Sequence, residues 1–170
     1  MKTRLIILTT LLLILLSLPV MSVFAAKPTE VVKPMKGSFW GTWAQTSATV
    51  ASDEGNGLFT HAGLSTFSGI LTTIWRAPDY VIGDVSGTII LTAANGDTLN
   101  VDVLGIQTID TSYAFADFVG TYTIVGGTRR FAGASGIGTI GAHLTIIPVT
   151  YDSGEIQNGY MVGTIVLPKA

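Results

Sequence analysis

Between residues 37 and 167, Thr, Val, Ile and aromatic residues recur at a spacing of two, and Gly interrupts them throughout. This feature constrains the chain more than any other. No window of a dozen residues carries an apolar stripe at i, i+3, i+4 and i+7 bounded by helix caps. The alternation is that of strands with one face buried, so the fold class is all-β.

The clearest hairpin lies in residues 87–103. Ile89-Ile90-Leu91 leads into Ala94-Asn95-Gly96-Asp97, and Thr98-Leu99-Asn100-Val101-Asp102-Val103 leads out. Asn95-Gly96 predicts a type I′ turn with two residues at positive φ. Leu99, Val101 and Val103 share one face, opposite Asn100 and Asp102. Further strands are expected over 38–50, 58–75 (one long strand, or two broken around Gly63 and Gly69), 118–125, 137–149 and 160–167. The total is seven or eight, many longer than the usual five or six residues. All 20 Gly lie at or after residue 37. Long strands with internal Gly predict a single antiparallel barrel of about eight strands, because Gly lets strands coil enough to close and closure removes exposed edges. A β-sandwich is the alternative.

Ahead of this domain, residues 1–25 read as a secretory signal peptide. Lys2 and Arg4 precede an apolar run from Leu5 to Leu18, Pro19 breaks it, and Val23-Phe24-Ala25 suits cleavage after Ala25. The alternative is an uncleaved N-terminal membrane anchor. Residues 26–36, with Pro28, Pro34 and three Lys, read as an extended linker, leaving 37–170 as the barrel domain. Cleavage leaves seven of the nine Lys and Arg against eleven Asp and Glu, a mature charge of −4. A mildly acidic domain does not fit electrostatic nucleic-acid binding. The absence of Cys excludes disulfides and thiolate metal sites. The expected setting is secreted or extracytoplasmic, with no stable membrane insertion once the leader is removed.

Residues 120–138 read G-T-Y-T-I-V-G-G-T-R-R-F-A-G-A-S-G-I-G. This resembles the strand–turn–strand signature of the allene oxide cyclase-like and dirigent-like barrels, commonly G-x-Y-x-I-x-G-G-T-G-R-F-A-G-A-x-G. Gly120, Tyr122, Ile124, Gly126, Gly127, Thr128, Arg130, Phe131, Ala132, Gly133, Ala134 and Gly136 match it, and Arg129 departs from it where the pattern has Gly. Thr60-His61-Ala62-Gly63 and residues 91–97 also resemble segments of exported bacterial relatives. The resemblance implies a barrel whose exit turn drops Phe131 onto one end as a plug. It implies either ring closure in an apolar barrel with a buried carboxylate, or the steering of phenoxy-radical coupling without oxidation. No catalytic residue of the family carries over to a matching position. Arg129 brings a Cβ to a position where the pattern favours a left-handed turn.

Either chemistry needs a polar group facing an apolar interior. Asp117 is the candidate inward carboxylate, flanked by Phe115 and Val119, for which a charge at the strand's mouth is the alternative. Asp53, in the Asp53-Glu54-Gly55-Asn56-Gly57 run, reads as part of a flexible turn, and Asp102 falls on the polar phase. His61 shares its phase with Phe59, Gly63 and Phe67 and is a candidate inward handle, catalytic or ligand-binding, whereas His143 faces solvent. Trp75 is a candidate ligand contact, and Trp40 and Trp43 lie on opposite faces of one strand. Arg129 and Arg130, after Gly126-Gly127-Thr128, form a candidate anion-binding turn, for which a plain solvated turn is the alternative. No metal site or cofactor is implied, since His61 and His143 are far apart without a supporting carboxylate pair. Three functions remain: a non-catalytic barrel for a small apolar ligand or a surface interaction, an isomerase or cyclase acting on a lipid-like or phenolic substrate, and a purely structural domain.

Overall fold

The computed structural model describes residues 30–148 and 150–168. The expected leader and the first residues of the expected linker lie outside them. The strands are β1 (Val31–Gln45), β2 (Val50–Phe59), β3 (Gly63–Trp75), β4 (Ile82–Ala93), β5 (Thr98–Ile109), β6 (Phe115–Gly127), β7 (Gly136–Thr145) and β8 (Ser153–Leu167). Each pairs antiparallel with the next and β8 pairs with β1, so the sheet is a closed eight-stranded barrel rather than a sandwich.

The expected linker is partly strand. Residues 31–36 pair with β8, and Met35 is wholly buried in the core. Pro34 is tolerated because β2 pairs with β1 only from Gly37 onward, leaving this stretch a neighbour on one side. The expected first strand over 38–50 is interrupted by a turn, and β2 begins at Val50. The run from Asp53 to Gly57 is therefore strand, not a flexible turn. At the next turn, the chain breaks at residues 60–62 and Gly63 takes a φ of 71°.

Inward positions alternate along every strand, and glycines occupy several of them in cross-strand pairs. Gly105 lies opposite Gly120, and Gly138 opposite Gly163. The Phe118 ring covers the first pair, and the Tyr122 ring with its hydroxyl covers the second. A Cβ at any of the four would sit inside 3 Å of neighbouring atoms. Bare backbone there lets strands curve tightly while aromatic rings restore the lost contact.

One end of the barrel, where β1 begins and β2 ends, is filled. Phe131, in a 3₁₀ turn over Arg129–Phe131, is 1% exposed and plugs it. Arg129 adopts a φ of 48°, so the left-handed turn forms despite the Cβ. The neighbouring β4–β5 turn has a single left-handed residue, Gly96 at 81°, instead of the two of a type I′ turn. The Gly96 N–H donates to the Ala93 carbonyl at 2.8 Å, and Ala93 N–H to the Asp97 carbonyl at 2.9 Å. The loop is one residue wider because Asn95 accepts from the Asp97 N–H and donates to the Asp97 carboxylate.

Candidate functional site

The opposite half of the barrel is hollow. A cavity of about 100 Å³ opens toward the end where β1 leads into β2. Its floor is Phe39, Phe67, Phe118 and Ile140, with Phe39 and Phe67 packed edge to face at 5.5 Å between centroids. Higher up, the walls carry Trp43, Trp75 and Tyr151, with Gln45, Thr73 and Gln107 as neutral polar groups. Both indoles are seated where a glycine leaves room. Trp43 lies against Gly154 and donates its Nε1–H to the Thr145 carbonyl at 2.9 Å, and Trp75 lies over Gly83.

Among the described residues, the single charged group in the lining is Asp53. It is half-buried on β2, directly opposite Trp43 on β1 and Gly69 on β3. Among the described residues nothing donates a hydrogen bond or a counter-charge to it, and the lining contains no Lys, Arg or His. Removal from water disfavours the carboxylate, and burial pushes its pKa from 3.8 up to about 7. Composition hid this residue, because Gly55, Asn56 and Gly57 beside it are poor strand formers. The available signal was phase: Asp53, Gly55, Gly57 and Phe59 share one face, and Phe59 is core.

Of the residues expected to matter, Trp75 lines this cavity. Asp117 does not. It is exposed on the outer face of β6, where the His143 Nδ1 lies 2.8 Å from its Oδ1 and the His143 ring stacks on Phe115 at 5.2 Å. The inward set of β6 is Ala116, Phe118, Gly120 and Tyr122, one residue out of step with the expectation. His143 does lie on the outer face, partly exposed. His61 is not inward either. The strand break removes it from the phase of Phe59, and it sits at the plugged end with Nε2 3.0 Å from the Pro34 carbonyl oxygen.

Arg129 and Arg130 do converge on an anion, but it is the chain's own. Asp97 Oδ2 is 3.1 Å from Arg130 Nε and Oδ1 is 3.7 Å from Arg129 Nη1, with the carboxylate only 4% exposed. Arg130 also lies over the Phe131 ring at 4.7 Å, so the pair locks the plug rather than offering an open anion site. Trp40 is exposed and Trp43 turns inward, on opposite faces as expected. Among the described residues, no three His, Asp or Glu side chains converge as metal ligands.

No family model and no curated protein matches the chain. Among solved structures, it is similar to the pterocarpan synthase dirigent protein GePTS1. The identity is 15%, the match covers 86% of this chain and 90% of that one, and the TM-score is 0.44. A likeness of that degree carries no functional inference, and the cavity itself has to supply one.

Proposed function

We propose that the protein is an exported barrel that binds a small, largely apolar ligand in this cavity, with Asp53 contacting the ligand's one polar group. The observation that carries this reading is an unpaired carboxyl, pushed up to about 7, in an aromatic-walled cavity open at one end. Ligand sites combine apolar walls with few polar groups that fix orientation, and a desolvated titratable group in a cleft marks a functional site. The cavity, about 100 Å³, is smaller than the roughly 150 Å³ that encloses a benzene, so the ligand is at most about one ring and sits partly in the open mouth. Export rests on the leader-like residues 1–25 and is tested by the mass of the mature chain, expected to begin at Ala26.

The test of binding is a panel of single-ring neutral compounds, phenols and short fatty acids, read by Trp fluorescence and thermal shift. At least one compound should raise the melting temperature of the native protein and not that of an Ala51→Trp variant, in which the added indole fills the mouth. A panel with no shift in the native protein, when a single-ring ammonium ion is included and also gives none, overturns the reading.

A second reading, an isomerase or cyclase, is favoured by the same residue, since a carboxyl titrating near neutrality suits general acid–base work. Asp53, rather than His61 or Asp117, would carry the proton. Exchange of the α-protons of a bound cyclic ketone with solvent deuterium, lost in Asp53→Asn, would establish it. Binding without exchange leaves the non-catalytic reading.

A further inference from the structure

The proposed ligand site has a chemical bias that narrows what it takes. Among the described residues its one carboxyl has no cation to pair with. Beside it the lining carries Trp43 and Gln45 from β1, Thr73 and Trp75 from β3, and Gln107 from β5, none of them charged. Tyr151, from the β7–β8 loop, is the only other titratable group among the described residues of the lining. The outward neighbour Glu54 points away from the cavity and is exposed. Two indoles and a phenol ring thus share the lining with a lone carboxyl, Trp43 directly across from it, and the indoles are held in place by their glycine seats and, for Trp43, by the bond to Thr145.

Three ligand chemistries can be compared at such a site. An anion meets a carboxyl of like charge and no positive partner. A neutral hydrogen-bond acceptor gains the protonated acid as a donor at low pH and loses it as the pH rises, keeping only the amide and hydroxyl donors of Gln45, Gln107 and Thr73. A cation pairs with the carboxylate and can also meet an aromatic lining that includes Trp43, the cross-strand partner of Asp53, cation–π attraction being strongest for indole. The carbonyl and hydroxyl oxygens of Gln45, Gln107 and Thr73 can accept any remaining N–H bonds. We infer that the cavity is a receptor for a small organic ammonium ion whose apolar body is about one ring. This rests on the ligand-binding reading above and specifies the charge of the ligand.

The inference has a pH signature. A permanently charged ammonium ion selects the carboxylate, so its binding releases a proton below the pKa of Asp53 and weakens about tenfold per pH unit there. The weakening should set in below about pH 7. A neutral acceptor shows the reverse trend.

The experiment compares benzyltrimethylammonium, benzyl alcohol and benzoate on the native protein by calorimetry and Trp fluorescence at pH 5 and pH 8. At pH 8 the ammonium ion should bind at least about tenfold more tightly than benzyl alcohol. Its affinity should fall between pH 8 and pH 5, and benzoate should be the weakest. Asp53→Asn, checked for folding by its melting curve, should bring ammonium and alcohol to similar affinity. Because the pH comparison uses the native protein, it decides the matter even if that variant fails to fold. Benzyl alcohol or benzoate binding as tightly as the ammonium ion overturns this inference while leaving the ligand-binding reading intact. Binding of none of these probes, nor of any compound in the panel above, overturns both.

Discussion

Trp43 and Asp53 are cross-strand partners on β1 and β2, and both line the cavity. The indole N–H is committed to Thr145 at 2.9 Å, so the tryptophan gives the carboxyl apolar surface and no hydrogen bond. Desolvation without compensation follows from that arrangement, and it raises the pKa of Asp53 without help from any neighbouring charge.

The first prediction is therefore a carboxyl titrating near neutrality, with a cost to stability. The folded pKa, about 7, lies above the ordinary 3.8. Between those values the folded state binds more protons than the unfolded chain, so this group's contribution falls as pH rises and is fully lost above about 7. Each unit of difference is worth up to about 1.4 kcal/mol, reduced here by the solvent that reaches the cavity mouth. Asp84, Asp110 and Asp152 are held low by hydrogen bonds and contribute with the opposite sign. The measurement is thus the difference between native protein and Asp53→Asn in urea unfolding at pH 4 and pH 8. The variant should gain on the native protein as pH rises. A difference that is flat with pH would refute the assignment.

At the plugged end the buried Asp97 depends on Arg130. Arg130→Ala leaves that carboxylate with the Asn95 amide and the more distant, largely exposed Arg129, and uncovers the Phe131 ring. A loss of about 1–3 kcal/mol is expected. Arg129→Gly should instead be neutral or stabilising by up to about 1 kcal/mol. It relieves a left-handed backbone strained by a Cβ and removes only two long, exposed contacts, 3.7 Å to Asp97 and 3.4 Å to the Asn95 carbonyl. Chemical denaturation of the two variants checks the contrast, and equal losses would mean that both arginines hold the carboxylate.

How much of this the sequence reveals differs from strand to strand. In β5 the phase is plain, because Leu99, Val101 and Val103 are core and Asp102 is outside. The motif around Phe131 likewise specifies the plug. β6 misleads because its inward set includes Ala116 and Gly120, small residues that make that phase look weak, whereas Phe115 and Val119 outside look like core. An apolar neighbour is a poor guide when a barrel's outer face also carries apolar residues. β2 misleads for a related reason. Gly55 and Gly57 oppose strand formation locally, yet rings of Phe67 and Phe59 lie over them, a tertiary demand that single-residue preference does not contain. Asp53 is hidden behind that demand.

The glycine pairs beneath the rings yield a direct test of closure. A Cβ at Gly138 would lie 2.3 Å from the Val162 carbonyl oxygen, 2.6 Å from the Tyr122 ring and 2.7 Å from the Gly163 Cα. Two of these three atoms are backbone of the facing strand, so the clash cannot be relieved by a rotamer change. Gly138→Ala should cost about 1–3 kcal/mol, toward the upper end. Gly96→Ala is a useful comparison, because no atom lies within 4 Å of its Cβ position and its cost comes only from a φ of 81°. Thermal melts of the two should show the larger drop at Gly138, and the opposite order would mean that the barrel flexes enough to absorb the methyl.

The last prediction concerns the ring that covers this pair. Tyr122 is 1% exposed, and its hydroxyl has no hydrogen-bond partner among the described residues. Burial pushes its pKa up, as expected for a phenol kept from water. A buried polar atom without a partner costs about 1–3 kcal/mol, whereas the ring itself supplies contact over Gly138 and Gly163. Tyr122→Phe keeps the ring and removes the cost, so it should raise stability by about 1 kcal/mol, and Tyr122→Leu should lower it by exposing the bare glycine backbone. Urea unfolding of both variants separates ring from hydroxyl. If Tyr122→Phe is instead destabilised, the phenol is hydrogen-bonded in solution and the hydroxyl is a structural anchor of the β6–β7–β8 seam.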